Sequence, residues 1–349
     1  MTQSSITAGP IPFGTAFTDH MVTIRWTAGD GWHPPRLSPY ATLSLDPASV
    51  GLHYGQIVFE GLKAYRRTDG SIAIFRPIDH ARRFQSSARR LAMPELPEQM
   101  FVKAVADLVR EDGRHLPDDH NLSLYLRPVL FASEPCLALR PAREYLFLLV
   151  AFVTGGYFAD QPDPVSVWIS RAYSRAAPGG TGRVKYAGNY AASYLAQLEA
   201  TGAGCHQVVW LDPVERRWVE EMGGMNLFFV RGRGAGAEVV TPELTDTLLP
   251  GITRDSLLAL AAQAGYRSAQ ERVSVEQWRF ECGTGVITET FACGTAALVT
   301  PVGSVRDGAA GWQVGDGAPG PVTLALRDAL TAVHRDRTAD QFGWMHPVH

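Results

Sequence analysis

The chain has 349 residues, of which 46% are hydrophobic and 19% charged. That is enough apolar material for a sizeable core in about two domains, and it excludes a wholly disordered chain. Lys plus Arg number 32 against 35 Asp plus Glu, a formal charge of −3, so neither nucleic acid nor an anionic membrane is expected as a partner. No apolar run reaches the ~18 residues of a spanning helix; the longest, Tyr145 to Val153, suits one buried strand.

In chain order, the start Met1-Thr2-Gln3-Ser4-Ser5 lacks a basic region followed by an apolar one, so no secretory signal is expected. Ser71 to Phe75 predicts a strand and His80 to Leu91 a helix rich in arginine. Met100 to Arg110 carries apolar residues at helical period. Ser123 to Phe131 and Tyr145 to Val153 predict strands. The segment 155–164, with two Gly and two Pro, predicts a linker between a small domain, 1–154, and a larger one, 165–349. In the second half, Ser166 to Ser170 predicts a strand. The Gly-rich stretch 176–182 predicts a mobile loop, a candidate lid beside Lys185. Tyr190 to Ala200 predicts a helix, Gln207–Leu211 and Arg217–Glu221 a hairpin, Asn226 to Val230 a strand, and Asp255 to Ala264 a helix. Strand and helix do not alternate strictly, so the fold class is α+β in two lobes rather than a doubly wound sheet.

Cys136, Cys205, Cys282 and Cys293 are scattered, without zinc spacing or a disulfide framework. A reducing cytoplasm and no metal follow as expectations. Gly180 to Lys185 lacks the ending of a phosphate loop, and no H-E-x-x-H or G-x-S-x-G occurs.

Five places carry chemistry. Lys185 is either a surface lysine or an amine whose surroundings free it as a nucleophile. The run 249–255 is either a plain helix start or a phosphate seat built from free N–H groups, with Gly251 allowing close approach. The small residues after Phe291, around Thr295 and Ala296, form either an anion-facing turn or a packed one. Glu221 closes an apolar strand and is either solvated or placed to hold a pyridinium proton. Arg83 is either an exposed helix residue or a phosphate ligand. Together they are the parts that a pyridoxal phosphate site needs.

The order of motifs resembles the branched-chain amino acid aminotransferases, pyridoxal phosphate enzymes of fold type IV. The resemblance runs from Phe13-Gly14-Thr15 to Gly343-Trp344-Met345, through Phe59-Glu60-Gly61, Phe75-Arg76-Pro77, Tyr125-Leu126-Arg127-Pro128, Gly188-Asn189-Tyr190, Met225-Asn226, Pro250-Gly251-Ile252-Thr253-Arg254 and Gly294-Thr295-Ala296. It implies a two-domain fold type IV architecture. It implies that Lys185 holds pyridoxal 5'-phosphate as an internal aldimine and moves the proton. By the same resemblance, Glu221 meets the pyridine nitrogen and Tyr190 the ring oxygen. Arg83, the Ile252 and Thr253 amides and Thr295 meet the phosphate. Phe17, Tyr54, Phe59, Tyr125 and Tyr157 surround the substrate side chain, Arg127 meets the far carboxylate of glutamate, and the Thr295–Ala296 backbone meets the α-carboxylate.

The implied reaction moves an amino group between leucine, isoleucine or valine and 2-oxoglutarate, and the implied assembly is a homodimer. A D-amino acid transaminase or an aminodeoxychorismate lyase is the alternative within the fold, and Tyr125-Leu126-Arg127 argues against both. Two departures stand out. Gly224 occupies a place where many members have Thr, so a hydroxyl near the cofactor is missing. The segment after Gly294 lacks the C-x-x-C pair of mammalian members, so no dithiol switch is expected there.

Overall fold

The computed structural model describes residues 13–155 and 163–348. Tyr157 and most of the expected linker lie outside the described residues.

The first lobe is built on strands β1 (His20–Thr27), β2 (Gly31–Trp32), β3 (Arg36–Pro39), β4 (Ile57–Phe59), β5 (Leu62–Arg66), β6 (Ile72–Phe75), β7 (Ser123–Ala132) and β8 (Glu144–Thr154). Its helices are α1 (Val50–Tyr54), α2 (Pro77–Arg90) and α3 (Glu98–Asp112). Every pairing in this sheet is antiparallel. The period of two divides its strands between two environments. In β5 and β7, Leu62, Ala64, Leu124 and Leu126 turn into a core with Phe84 of α2 and Phe101 and Leu108 of α3. The intervening Lys63, Tyr65, Tyr125 and Arg127 therefore project from the opposite face, toward the second lobe. Burying each of the large core side chains contributes about 1.5–3 kcal/mol.

The second lobe holds β9 (Val165–Ile169), β10 (Gln207–Leu211), β11 (Val219–Met222), β12 (Met225–Arg231), β13 (Glu238–Thr241), β14 (Arg267–Gln270), β15 (Ile287–Gly294), β16 (Leu298–Asp307) and β17 (Ala310–Gln313). Around it lie α4 (Gly188–Ala191), α5 (Tyr194–Gly202), α6 (Ile252–Gln263), α7 (Val275–Gly283) and α8 (Pro321–His334). The strand order is β11-β10-β9-β16-β15-β12, and β12 pairs back onto β11, closing a ring. Closure leaves no free edge within the ring. Val167, Val209, Met222, Leu227, Phe229 and Ala292 belong to one apolar cluster of this lobe. Their chain neighbours Phe228 and Phe291 stack at 4.9 Å in another. This second cluster also contains Tyr65 and Phe75 of the first sheet, so it ties the lobes together.

The α+β class holds, with one sheet antiparallel and the other mixed. The chain does not divide cleanly at 155–164, however. The last strand, β18 (Met345–Val348), crosses back and pairs with β6. The helix expected over Tyr190–Ala200 is two helices, because Ala192 and Ser193 interrupt it and Ser193 Oγ donates to the Tyr190 carbonyl. The helix expected from Asp255 starts earlier, at Ile252.

Candidate active site

Lys185 lies where the two lobes meet. Its carbonyl accepts from the Phe59 N–H at 3.1 Å, and its own N–H donates to Ser87 Oγ at 3.0 Å. Tyr186 bridges to Val58 of β4. The lysine backbone is thus stitched to the first lobe by β4 and α2, while the chain around it belongs to the second. Its half-buried Nζ donates to Tyr190 Oη at 3.3 Å and stands 5.0 Å from the centre of the Phe59 ring. Among the described residues, no carboxylate pairs with it.

The stretch 176–182 is not the free lid expected of its glycines. Arg90 of α2 donates to the carbonyls of Gly179 and Gly180, and Arg175 donates to that of Gly182. Asn189 Nδ2 donates to the Thr181 carbonyl. These bonds tether the loop from both lobes.

Glu221 is buried at the end of β11. One oxygen accepts from the Leu249 N–H at 2.6 Å. The other lies 3.1 Å from Arg175 Nε, an ion pair whose N–H is not aligned as a hydrogen bond. Burial pushes the Glu221 carboxyl above its ordinary range, while Arg175, the Leu249 amide and Lys185 pull it down. A cationic donor arriving at this carboxylate would offset the cost of its burial.

The expected phosphate seat is a helix start. Gly251 is the N-cap of α6 without a side-chain cap, so the Ile252 and Thr253 N–H groups occupy the first turn, where intrahelical acceptors are lacking. An added Cβ on Gly251 would fall 2.0 Å from Asn226 Oδ1. Only glycine lets the loop approach Asn226, whose Nδ2 donates to the Leu249 carbonyl. Arg83 reaches the same loop and donates to the Pro250 carbonyl at 3.2 Å.

Arg83 is steered by a residue to which no role was assigned from sequence. Glu60 is fully buried and takes Arg83 through both oxygens, at 2.7 and 3.0 Å, and His80 Nδ1 at 2.8 Å. Burial alone would raise the Glu60 carboxyl. The Arg83 guanidinium and His80 overcome it and hold Glu60 well below the usual carboxylate range. The signal was available in Phe59-Glu60-Gly61, an acid at the end of an apolar strand.

Arg175 was likewise missed, and so was Lys63. Lys63 lies buried in the middle of β5 and donates to the Ala296 carbonyl at 3.2 Å. Thr295, Ala296 and Ala297 form the turn between β15 and β16. The turn ends at Leu298, whose φ of +56° is unfavourable for a branched residue and fixes the loop in an unusual shape.

The aromatic wall comes from the face of the first sheet opposite its core. Tyr125 stacks on Phe152 at 5.0 Å and meets Phe13 edge-on at 4.9 Å. Phe17 reaches Phe152 as well, and Phe59 packs on Tyr190 at 4.8 Å. Gly61 makes room for Tyr125, since an added Cβ would sit 1.9 Å from its hydroxyl. Arg127 lies against both Phe59 and Tyr125, donates to the Tyr125 hydroxyl, and leaves its buried Nε unbonded. Tyr54 stands apart; it is exposed, and its hydroxyl donates to the Leu137 carbonyl. A Cβ on Gly224 would lie 3.4 Å from the Tyr190 ring, so a larger residue there would rest on that ring. Cys293 is buried beside Gly294, and burial pushes its thiol far up.

An amine, a backed carboxylate, an anion seat with a steered guanidinium, and an apolar wall holding a free guanidinium N–H thus converge between the lobes. Comparison with known proteins gives a consistent picture. Residues 57–305 match the family model described as amino-transferase class IV. The chain is 54% identical over 344 residues to a branched-chain-amino-acid aminotransferase of Mycolicibacterium smegmatis, covering 98% of this chain and 93% of that one. It is 41% identical to branched-chain-amino-acid transaminase 1 of Bacillus subtilis, covering 95% of this chain and 92% of that one. The fold superposes on the branched-chain amino acid aminotransferase from Escherichia coli with a TM-score of 0.76 at 28% identity, covering 95% of this chain and 99% of that one. It superposes on the branched-chain amino acid aminotransferase from Thermobaculum terrenum, in its PLP-bound holo-form, with a TM-score of 0.75 at 26% identity, covering 95% and 99%.

Proposed function

The chain belongs to the branched-chain-amino-acid aminotransferases of amino-transferase class IV, and from that premise we propose how its own residues divide the work. Pyridoxal 5'-phosphate, the cofactor of this class, supplies when bound an electron-withdrawing ring that makes the hydrogen on an amino acid's α-carbon labile.

The residues fit that group. Lys185 Nζ, unpaired with any carboxylate among the described residues, is the covalent anchor and the base that lifts and returns the proton. Tyr190 Oη, its hydrogen-bond partner, serves the ring oxygen. Glu221, backed by Arg175, holds the proton on the ring nitrogen. Arg83, the Ile252 and Thr253 amides and Thr295 hold the phosphate.

The substrate wall is Phe59 and Tyr125, with Phe17 beyond them. It buries an isobutyl-type chain at about 25 cal/mol per Å². The same wall accepts 2-oxoglutarate because Arg127 keeps an unbonded N–H for the distal carboxylate. The turn at Thr295 and Ala296 receives the α-carboxylate. Exposed Tyr54 serves the pocket of a second copy in a homodimer.

The observation that carries this reading is the amine of Lys185 held between Phe59 and Tyr190, with its backbone tied to Phe59 and Ser87 of the first lobe. Replacing Lys185 with Ala tests it. The variant should keep the native circular dichroism and lose both the visible cofactor absorbance and amino transfer from L-leucine to 2-oxoglutarate. Measurable turnover of the pure variant would overturn the assignment, and preference for D-alanine by the native enzyme would overturn the substrate class.

A further inference from the structure

Behind the Thr295–Ala296 turn, away from the anion seat of α6, the lobes enclose a second cationic site. Lys63, Tyr65, Ser123, Arg327, His334 and Arg335 are among the residues lining a cavity of about 70 Å³. Among the described residues, none of Lys63, Arg327, His334 and Arg335 is paired with a carboxylate, and no Asp or Glu lines the space. Lys63 has one acceptor, the Ala296 carbonyl. Arg335 is spent on carbonyls, those of Arg66, His120 and Leu122. Arg327 has no hydrogen-bond acceptor for its guanidinium among the described residues.

His334 is the most telling member. It is 2% exposed, lies flat on Tyr65 at 4.1 Å, and both of its ring nitrogens lack partners. A buried imidazole without a partner is expensive, and it points to an occupant. The electrostatics agree. Burial, with repulsion from Arg335, pulls the Lys63 ammonium down to about 7. Burial, then Lys63 and Arg335, also hold His334 well below its ordinary value. Lys63 and Arg335 thus repel each other, and both disfavour a proton on His334.

We propose that this cavity binds a small inorganic anion, held by Lys63, Arg327 and His334 and by the Tyr65 hydroxyl, distinct from the phosphate seat at α6. The small volume suits chloride or a tetrahedral oxyanion. Burial keeps the Tyr65 phenol protonated, so it is a donor to such an ion. The site joins β5 of the first lobe to α8 and to the β15–β16 turn of the second. Its occupant would brace the carbonyl side of the turn assigned to the substrate α-carboxylate. This inference does not depend on the assignment of the reaction.

The test uses holoenzyme, so that the cofactor fills the α6 seat. Melting temperature is followed as sodium chloride replaces sodium gluconate at constant ionic strength, with sodium phosphate as a parallel arm. Crystals grown in sodium bromide are examined for anomalous scattering. The expected result is a saturable rise of at least about 3 °C with one of the two anions, together with a bromide peak among Lys63, Arg327 and His334. Arg327→Met should abolish the saturable rise and leave the starting melting temperature nearly unchanged, since that guanidinium makes no hydrogen bond. An empty or water-filled cavity, or an equal rise in Arg327→Met, would overturn the proposal. So would a bromide peak without saturable stabilisation, which marks an adventitious ion only.

Discussion

Arg175 Nε stands 3.1 Å from the Glu221 carboxylate, inside a site where both side chains are almost fully buried. The arginine is itself held by the carbonyls of Gly182 and Thr247. A buried carboxylate without a compensating charge takes up a proton, and one partner stranded by loss of the other costs about 3–5 kcal/mol. Arg175→Met should therefore neutralise Glu221 rather than displace it. We expect kcat to fall by about 10- to 100-fold and the protein to lose about 3 kcal/mol of stability. The charge account makes a second demand. Glu221→Gln should show a similar loss of kcat, and adding Arg175→Met to it should cost much less than Arg175→Met alone. Additive losses in this double-mutant cycle would sink the positioning role.

Glu60 bears on the phosphate end in the same way. Its two oxygens fix Arg83 in a bidentate grip, one such charge-assisted bond being worth about 1.5–3 kcal/mol. Glu60→Gln should weaken cofactor retention by about tenfold, measured by equilibrium dialysis, while leaving the Lys185 chemistry in place at saturating cofactor. The pH sign is fixed by the direction of the shift. The Glu60 carboxyl is depressed in the folded state, so its stabilisation is complete above the ordinary value of 4.5 and is lost as pH falls below it. The native enzyme should therefore lose more stability than Glu60→Gln on acidification below about pH 4.5. Parallel acid-unfolding curves for the two proteins would contradict this.

Arg127 separates the two substrates. Its guanidinium lies on Phe59 and Tyr125, and its unbonded Nε awaits an acceptor. Leucine brings no distal carboxylate, whereas 2-oxoglutarate does. Arg127→Ala should reduce kcat/KM for 2-oxoglutarate by at least about tenfold more than for leucine, from the loss of one charge-assisted contact. Stopped-flow measurement of each half-reaction gives the ratio directly, and equal losses would refute the role of Arg127.

Much of this site could be read from the chain because its parts are local. The Pro250-Gly251 pair before an apolar run announces a helix start, whereas Tyr125 and Arg127 are assigned through the family resemblance and β7 sets them on one face. What escaped was pairing across distance. Arg175 sits in a loop without periodicity and meets an acid 46 positions away, so no spacing could reveal it. The Gly-rich stretch 176–182 looked mobile because glycine frees the backbone, yet Arg90 on a remote helix ties it down. The return of β18 to β6 depends on the two lobes already lying side by side. Lys63 was the avoidable omission, since Leu62-Lys63-Ala64-Tyr65 already sets a lysine within a strongly apolar strand.

Glu220, the neighbour of Glu221, gives the pH dependence of stability near neutrality. Successive strand residues face opposite ways, and Glu220 accordingly meets the Thr247 hydroxyl instead of Arg175 and Leu249. Burial, opposed by that hydroxyl and reinforced by Glu221, lifts its carboxyl from 4.5 to about 7. A folded-state value above the unfolded one means that the native state holds the proton more tightly. The resulting stabilisation is complete below the unfolded value of 4.5 and is lost as pH rises through about 7. Glu220→Gln keeps a neutral side chain at every pH. Its melting temperature relative to the native protein should rise between about pH 4.5 and 7 and then level off. A constant difference across that window would show that Glu220 is ionised throughout, and its burial against Thr247 would then need another counter-charge.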